Sequence, residues 1–170
     1  MPRPTWDEYA LNLLDPIASR SEDQETKVGC VIFDTQHRIV GTGYNSFPKG
    51  INYSGRALYR PVKYKFMVHA EANAILFSDN QRLRNATIYV PFKPCNECCK
   101  LIIQSGIYRV VYRGDYISQD KEANSPDGTK MLRDAGVVIK KFTNIAWKYM
   151  QKMYKCFGTG TSLNLYGFIL

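Results

Sequence analysis

The sequence predicts an α/β fold, a mixed sheet of about five strands covered by helices on both faces. Two observations carry this. An apolar hairpin follows the first amphipathic helix, and in the second half short β-branched runs alternate with helical segments. Strand–helix–strand order favours parallel neighbours and buries both sheet faces. The length agrees: 170 residues, 45% hydrophobic and 13% aromatic, suit one domain with a real core. A charged fraction of 22% excludes a disordered chain.

The elements follow in order. From Thr5 to about Ser19, Trp6, Tyr9, Ala10, Leu13, Leu14 and Ile17 recur at helical spacing. Pro16 lies inside that stretch and predicts a kink or an early stop. Lys27 to Phe33 is a β-branched strand, Asp34 to His37 a turn, and Arg38 to Tyr44 the returning strand. Asn45 to Lys65 has no period and holds Pro48, Gly50, Gly55 and Pro61, so it reads as a long loop. Long loops in compact domains often carry function. His69 to Ser78 is a helix, Ala86 to Val90 a short strand, and Cys95 to Ser105 a helix stopped by Gly106. Tyr108 to Tyr112 is a strand, 115–127 a polar loop, Gly128 to Asp134 a helix, and Val137 to Phe142 the last strand. A further helix is expected from Asn144 to Phe157, with Ala146, Tyr149, Met150, Met153 and Phe157 on one stripe.

The chain carries 23 basic and 15 acidic residues, net +8. After Val137 there are five lysines and no acid. The basicity therefore belongs largely to one C-terminal segment, which argues against a whole-surface nucleic-acid interface. No apolar run is long enough to span a membrane, so no membrane partner is expected. The opening Met1-Pro2-Arg3-Pro4 lacks the shape of a signal peptide, and an odd count of five cysteines argues against a disulfide framework. A cytoplasmic protein is the expectation.

The chemistry concentrates in His69-Ala70-Glu71 and Pro94-Cys95-Asn96-Glu97-Cys98. Both stretches open expected helices. Cys95 and Cys98 share a helix face, where the helix N-terminus stabilises thiolates. A helix–strand–helix unit can bring both helix starts to one sheet edge. One imidazole and two thiolates leave a fourth position open, the ligand count of a catalytic zinc site. Zinc in such a site lowers the pKa of bound water toward neutrality. Glu71, free of ligand duty, would take that water's proton and pass it to a ring nitrogen and a leaving amine. This is the signature of zinc deaminases, H-x-E followed by P-C-x-x-C. Taken singly, each part has a plainer meaning: a redox or structural C-x-x-C, a packed histidine, a solvated glutamate. Cys99 reads as a buried packing residue, with a fourth-ligand role as the alternative, and Cys30 and Cys156 as packing residues.

Further residues resemble the deoxycytidylate (dCMP) deaminase branch of the zinc-dependent cytidine/deoxycytidylate deaminase family. They are Arg3-Pro4-Thr5-Trp6-Asp7-Glu8-Tyr9, Arg20-Ser21-Glu22-Asp23 leading to Lys27-Val28-Gly29-Cys30, Gly43-Tyr44-Asn45, and Lys100-Leu101-Ile102-Ile103 after the second motif. The resemblance implies a three-layer α/β/α cytidine-deaminase-like fold, with residues 1–142 as the deaminase domain. Residues 143–170 are expected to form a helical extension packed on the domain or on a neighbouring subunit. It implies conversion of dCMP and water to dUMP and ammonia for thymidylate synthesis. It also implies one catalytic Zn2+ on His69, Cys95 and Cys98, Glu71 as proton shuttle, and Asn45 and Ala70 against the substrate. Lys27, Lys49, Arg56 and Arg113 are the candidates for holding the phosphate, Lys27 foremost. A homo-oligomer such as a hexamer is expected, as is Mg2+ with a regulatory nucleotide; nucleic acid is not an expected partner.

The chain departs from the family at Ser46, where Gly is usual, and at 51–60, where an acidic stretch is expected. The rival readings are a deaminase of another cytosine nucleotide (dCTP or 5-modified dCMP), a tRNA adenosine deaminase, and a non-enzymatic nucleic-acid-binding zinc module using Cys99. Against the second, Lys93 stands where that family usually has Glu.

Overall fold

A computed structural model of the chain describes residues 3–50, 59–115 and 127–143. Arg56, the polar loop between 115 and 127 and the expected tail helix lie outside the described residues.

Helix α1 (Trp6–Ala18) starts on a capping box: Thr5 accepts from the Glu8 backbone N–H, and Glu8 reaches back to the Thr5 backbone. It buries Ala10, Leu11, Leu14 and Ala18. Trp6 and Tyr9, which the periodicity assigns to the apolar face, are exposed at 41% and 42%. Pro16 neither stops the helix nor forces an early end; the helix runs two residues past it.

Strands β1 (Gly29–Phe33) and β2 (Ile39–Tyr44) form the expected antiparallel hairpin, with an irregular register between Ile32 and Phe33. The turn is held by Asp34, whose Oδ1 accepts from the Gln36 and Arg38 backbone N–H groups at 2.9 Å each. Strands β3 (Thr87–Phe92), β4 (Arg109–Gly114) and β5 (Val138–Lys141) run parallel to one another, while β1 pairs antiparallel with β3. The order is β2-β1-β3-β4-β5, a mixed five-stranded sheet as expected.

The helices α2 (Ala70–Leu76), α4 (Asn96–Gln104) and α5 (Asp127–Asp134) cover one face. Their Ala74, Ile75, Cys99, Ile102 and Leu132 pack with Cys30, Ile32, Ile88, Val90 and Val110 of the strands. Helix α1 covers the other face with Val31, Phe33, Tyr89 and Val111. These are the three layers the sequence predicts. The short α3 (Asn80–Leu83), capped by Asp79, and a 3-10 turn at Val62–Lys65 were not anticipated.

Two glycines set how closely helices approach the sheet. A Cβ on Gly29 would lie 2.2 Å from the Leu14 carbonyl oxygen, and one on Gly43 would lie 2.3 Å from the Ala70 carbonyl oxygen. Only a bare Cα lets α1 and α2 sit where they do. Gly43 thus places the first turn of α2, and that turn carries His69, Ala70 and Glu71.

Candidate metal centre and nucleotide cavity

His69 and Cys95 are the N-cap residues of α2 and α4, both in extended backbone conformations. An N-cap side chain leaves the helix at its open end, so the two helix starts aim an imidazole and a thiol at one point. Cys98 joins from the first turn of α4. His69 Nδ1 lies 3.5 Å from Cys95 Sγ and 3.4 Å from Cys98 Sγ. The three ligand atoms fall within 4.8 Å of one another, the only such group of ligating side chains among the described residues. Nδ1 is the nitrogen turned toward the thiols.

The donor set fits zinc: one borderline nitrogen, two soft sulfurs and an open side. Cys99 takes no part. It is fully buried, and its thiol points to the Pro94 carbonyl at 3.7 Å. The fourth protein thiolate required by a closed structural site is therefore not supplied by Cys99.

The electrostatics follow from this crowding. The hydrogen bond with Cys98, aided by His69, brings the Cys95 thiol down to about 4. The hydrogen bond His69 donates to the Cys95 thiolate takes its imidazole up to about 9, against partial desolvation of the ring. The same Cys95 bond and burial push Cys98 well above the ordinary thiol range. One thiolate therefore already pairs with an imidazolium, and metal binding displaces the remaining protons. Glu71 is buried beside them. Burial raises its carboxyl above the ordinary range, although the His69 charge and its own backbone N–H pull the other way. A carboxyl in that environment is suited to carrying a proton.

The centre opens into a cavity of about 250 Å3 whose wall includes His69, Ala70, Glu71 and Cys95. Asn45 and Ala70 both line it. The Asn45 side chain is heavily committed within the protein. Its Nδ2 donates to Asp23 Oδ2 (3.1 Å) and the Thr26 carbonyl (2.9 Å), and its Oδ1 accepts from the Val28 N–H (2.8 Å).

Lys27 is exposed and does not line the cavity, whereas its neighbours Thr26 and Val28 do. Lys49 sits over the Phe77 ring, 4.1 Å from its centroid. Arg113 pairs with Asp15 of α1 at 2.9 Å. The cations that do line the cavity are Arg60, Lys63 and Lys93. Sequence reasoning took Lys49 and Arg56 from the same aperiodic stretch and passed over Arg60 and Lys63, which no periodicity set apart from them. It weighed Lys93 only against the tRNA-type deaminases. Its place directly before Pro94-Cys95 was the available signal.

A fold of this topology, with a His/Cys/Cys cluster at two helix starts and a buried glutamate beside it, defines a deaminase-type zinc centre. Residues 4–113 match the family model described as the cytidine and deoxycytidylate deaminase zinc-binding region, and the chain belongs to that family. It is 35% identical over 144 residues to the deoxycytidylate deaminase of Mus musculus, covering 81% of this chain and 80% of that one. It is 42% identical over 130 residues to the deoxycytidylate deaminase of Mycobacterium phage D29, covering 66% of this chain and 97% of the relative. Among solved structures, the dCMP deaminase of cyanophage S-TIM5 in complex with dCMP and dUMP shares the fold. Its TM-score is 0.62 at 23% identity, over 84% of this chain and all of that one. No helix among the described residues is long and apolar enough to cross a membrane.

Proposed function

We infer that the chain is a zinc-dependent hydrolase that deaminates dCMP to dUMP and ammonia, supplying dUMP for thymidylate synthesis. One observation carries the reading: His69 and Cys95 of the His69/Cys95/Cys98 cluster line one cavity together with the buried Glu71. Relatives named deoxycytidylate deaminases at 35% and 42% identity support the substrate.

His69, Cys95 and Cys98 would hold the zinc, which when bound supplies the polarisation that makes water a nucleophile near neutral pH. Glu71 would accept a proton from the attacking water and pass it to the ring nitrogen, then take the proton of the hydroxyl so formed on the ring carbon and pass it to the departing amine, which leaves as ammonia. Its burial keeps that proton from exchanging with bulk solvent. Ala70 and Asn45 shape the wall the base rests on. Arg60 and Lys93, as cavity cations, are better placed than Lys27 to hold the 5′-phosphate, and charge-assisted hydrogen bonds are the strong kind.

The four described cysteines Cys30, Cys95, Cys98 and Cys99 are all free, as a reducing cytoplasm keeps them. Leu76 and Phe77, exposed at 70% and 62%, offer a surface for the expected homo-oligomer. The tail 143–170 belongs to this reading as the extension that packs on the domain or on a neighbour.

The test is ammonia release from dC, dCMP, dCTP, CMP and 5-substituted dCMP, with and without dTTP and Mg2+. The reading expects dCMP to be strongly preferred over deoxycytidine. Equal kcat/KM for the two defeats it.

A further inference from the structure

Lys63 stands out among the cavity-lining residues. It is a lysine only 2% exposed, in the wall of a cavity expected to hold an anion, yet its charge is already spent. Its Nζ lies 2.7 and 2.9 Å from the two oxygens of Asp23 and 3.0 Å from Glu25 Oε2. Asp23, itself 3% exposed, also accepts the backbone N–H groups of Glu25 and Thr26, at 2.8 and 3.0 Å, and the Asn45 amide. Asn45 in turn holds the Val28 N–H at the entry to β1.

The network joins two walls. Segment 59–67 supplies Arg60, Lys63, Tyr64 and Met67 to the cavity, and segment 21–28 with Asn45 supplies the facing side. The bonds between the segments are polar: Lys63 to Asp23 and Glu25, the Arg60 backbone N–H to Glu25 at 2.9 Å, and the Arg60 guanidinium to Thr26 Oγ1. Next to this, Ser46 and Val68 exchange backbone hydrogen bonds at 3.1 and 2.8 Å. Asn73 of α2 grips the Tyr44 carbonyl (2.8 Å) and Ser46 Oγ (3.0 Å). The metal side is thus fixed to the sheet without Lys63, while the nucleotide side depends on it.

We propose that Lys63 is a positioning residue: its ammonium, clamped by Asp23 and Glu25, clips segment 59–67 onto the cavity wall and sets the width of the nucleotide pocket. It holds the wall, not the phosphate. This rests on the reading of the cavity as a nucleotide site.

Two variants separate positioning from folding. Lys63→Met keeps the length and removes the clip, but leaves Asp23 buried without its cation, which is strongly destabilising. Lys63→Met combined with Asp23→Asn removes the buried pair together and leaves only the partly exposed Glu25, still held by the Arg60 N–H, so much of the stability returns while the clip stays absent. The readouts are KM and kcat for dCMP, zinc per chain, melting temperature and calorimetric Kd for dUMP. Both variants should show KM and Kd raised about tenfold or more, the pattern of lost binding common to ground and transition states. Zinc content should stay at one per chain, and kcat within about threefold of wild type.

A KM that recovers along with stability in the double variant overturns the proposal, since Lys63 would then matter for folding alone. Loss of zinc, or a fall in kcat at unchanged KM, overturns it as well. A wild type that binds dUMP yet releases no ammonia defeats the functional reading, and the clip is then judged on Kd alone.

Discussion

His69, Cys95 and Cys98 are presented by the first turns of two helices packed on one sheet face, whereas Asp23, Thr26, Asn45, Arg60 and Lys63 come from irregular segments tied by ion pairs and amide bonds. The metal half inherits its precision from regular structure. Helix N-termini offer unpaired N–H groups and a positive field, and the packing of those helices on the sheet fixes where the side chains point. The nucleotide half has no such frame, and its geometry lasts only while every polar partner is in place. A perturbation of the first half should change the chemistry, and one of the second should change binding.

The largest effect is expected at the chemical end of the metal half. Glu71→Gln keeps the shape and removes the proton acceptor. Turnover should fall by about 10²–10⁴-fold or more, the usual worth of a general acid–base group. Zinc should stay at one per chain, because Glu71 is not one of the three ligands. Near-normal kcat in a zinc-loaded Gln variant would remove Glu71 from the mechanism.

Next comes the frame beneath that half. A methyl at Gly43 would meet the Ala70 carbonyl oxygen at 2.3 Å and the Ala74 nitrogen at 2.4 Å, both backbone atoms that cannot swing aside. Gly43→Ala should therefore push α2 outward, at about 1–3 kcal/mol of stability. It should also lower kcat by on the order of 10²-fold, since the displaced turn carries both His69 and Glu71. A melting curve and kinetics on one preparation check both. Full activity would show that the helix start tolerates movement, against the contrast drawn above.

The contrast also explains what could be read in advance. The His69/Cys95/Cys98 cluster with Glu71 beside it, the five strands and their layers were legible because each rests on short-range pattern: i to i+3 on α4, a continuous β-branched run in β1, two helix-start motifs 26 residues apart with a strand between. The nucleotide wall was not legible. Lys63 pairs with residues 40 and 38 positions earlier, and no local pattern announces such a bond. Asn45 was singled out by resemblance, and the structure adds that its amide is largely spent on Asp23, Thr26 and Val28. Of the two expectations Pro16 raised, the early stop did not follow, since α1 runs on to Ala18.

Ion pairs also act outside the cavity, where they should affect stability and leave kinetics alone. Asp7 on α1 accepts from Arg109 through both oxygens at 2.8 Å, from Lys140 at 2.9 Å and from Tyr89 Oη at 3.1 Å. The Arg109 guanidinium, helped by Lys140 and Tyr89, outweighs burial and holds the Asp7 carboxyl far below the usual carboxylate range. A carboxyl depressed in the folded state stabilises above its unfolded pKa, about 4, and loses that contribution as pH falls toward the folded value. Asp7→Asn should thus cost about 1–2 kcal/mol near neutrality, allowing for solvent screening. Urea melts across pH should show the gap to wild type constant from pH 7 to about 5 and closing below about 4. A gap that widens on acidification would invert the sign and remove the Arg109 pairing as its source.

The smallest effects concern which cations the substrate feels, and here the two readings of the chain disagree. The sequence puts Lys27 first as a phosphate holder; the cavity presents Arg60 and Lys93. Arg60→Ala or Lys93→Ala should raise KM for dCMP about tenfold, the low end for a partly exposed charge-assisted hydrogen bond. Deoxycytidine supplies the control, since it has no phosphate. Loss of a phosphate contact leaves its KM unchanged, whereas a loosened wall raises KM for nucleoside and nucleotide together. The Arg60 guanidinium also bonds Thr26 Oγ1 and lies 3.9 Å from Glu25 Oε2, so its variant should show some of both. Lys93 donates its backbone N–H to Gly114 and has no such tie to the 59–67 wall, so its variant should affect the nucleotide alone. Lys27→Ala should change neither KM, because the exposed Lys27 faces solvent while Thr26 and Val28 on either side of it line the cavity. A rise in KM for dCMP alone in the Lys27 variant, with Lys93→Ala silent, would return the phosphate to the position the sequence chose.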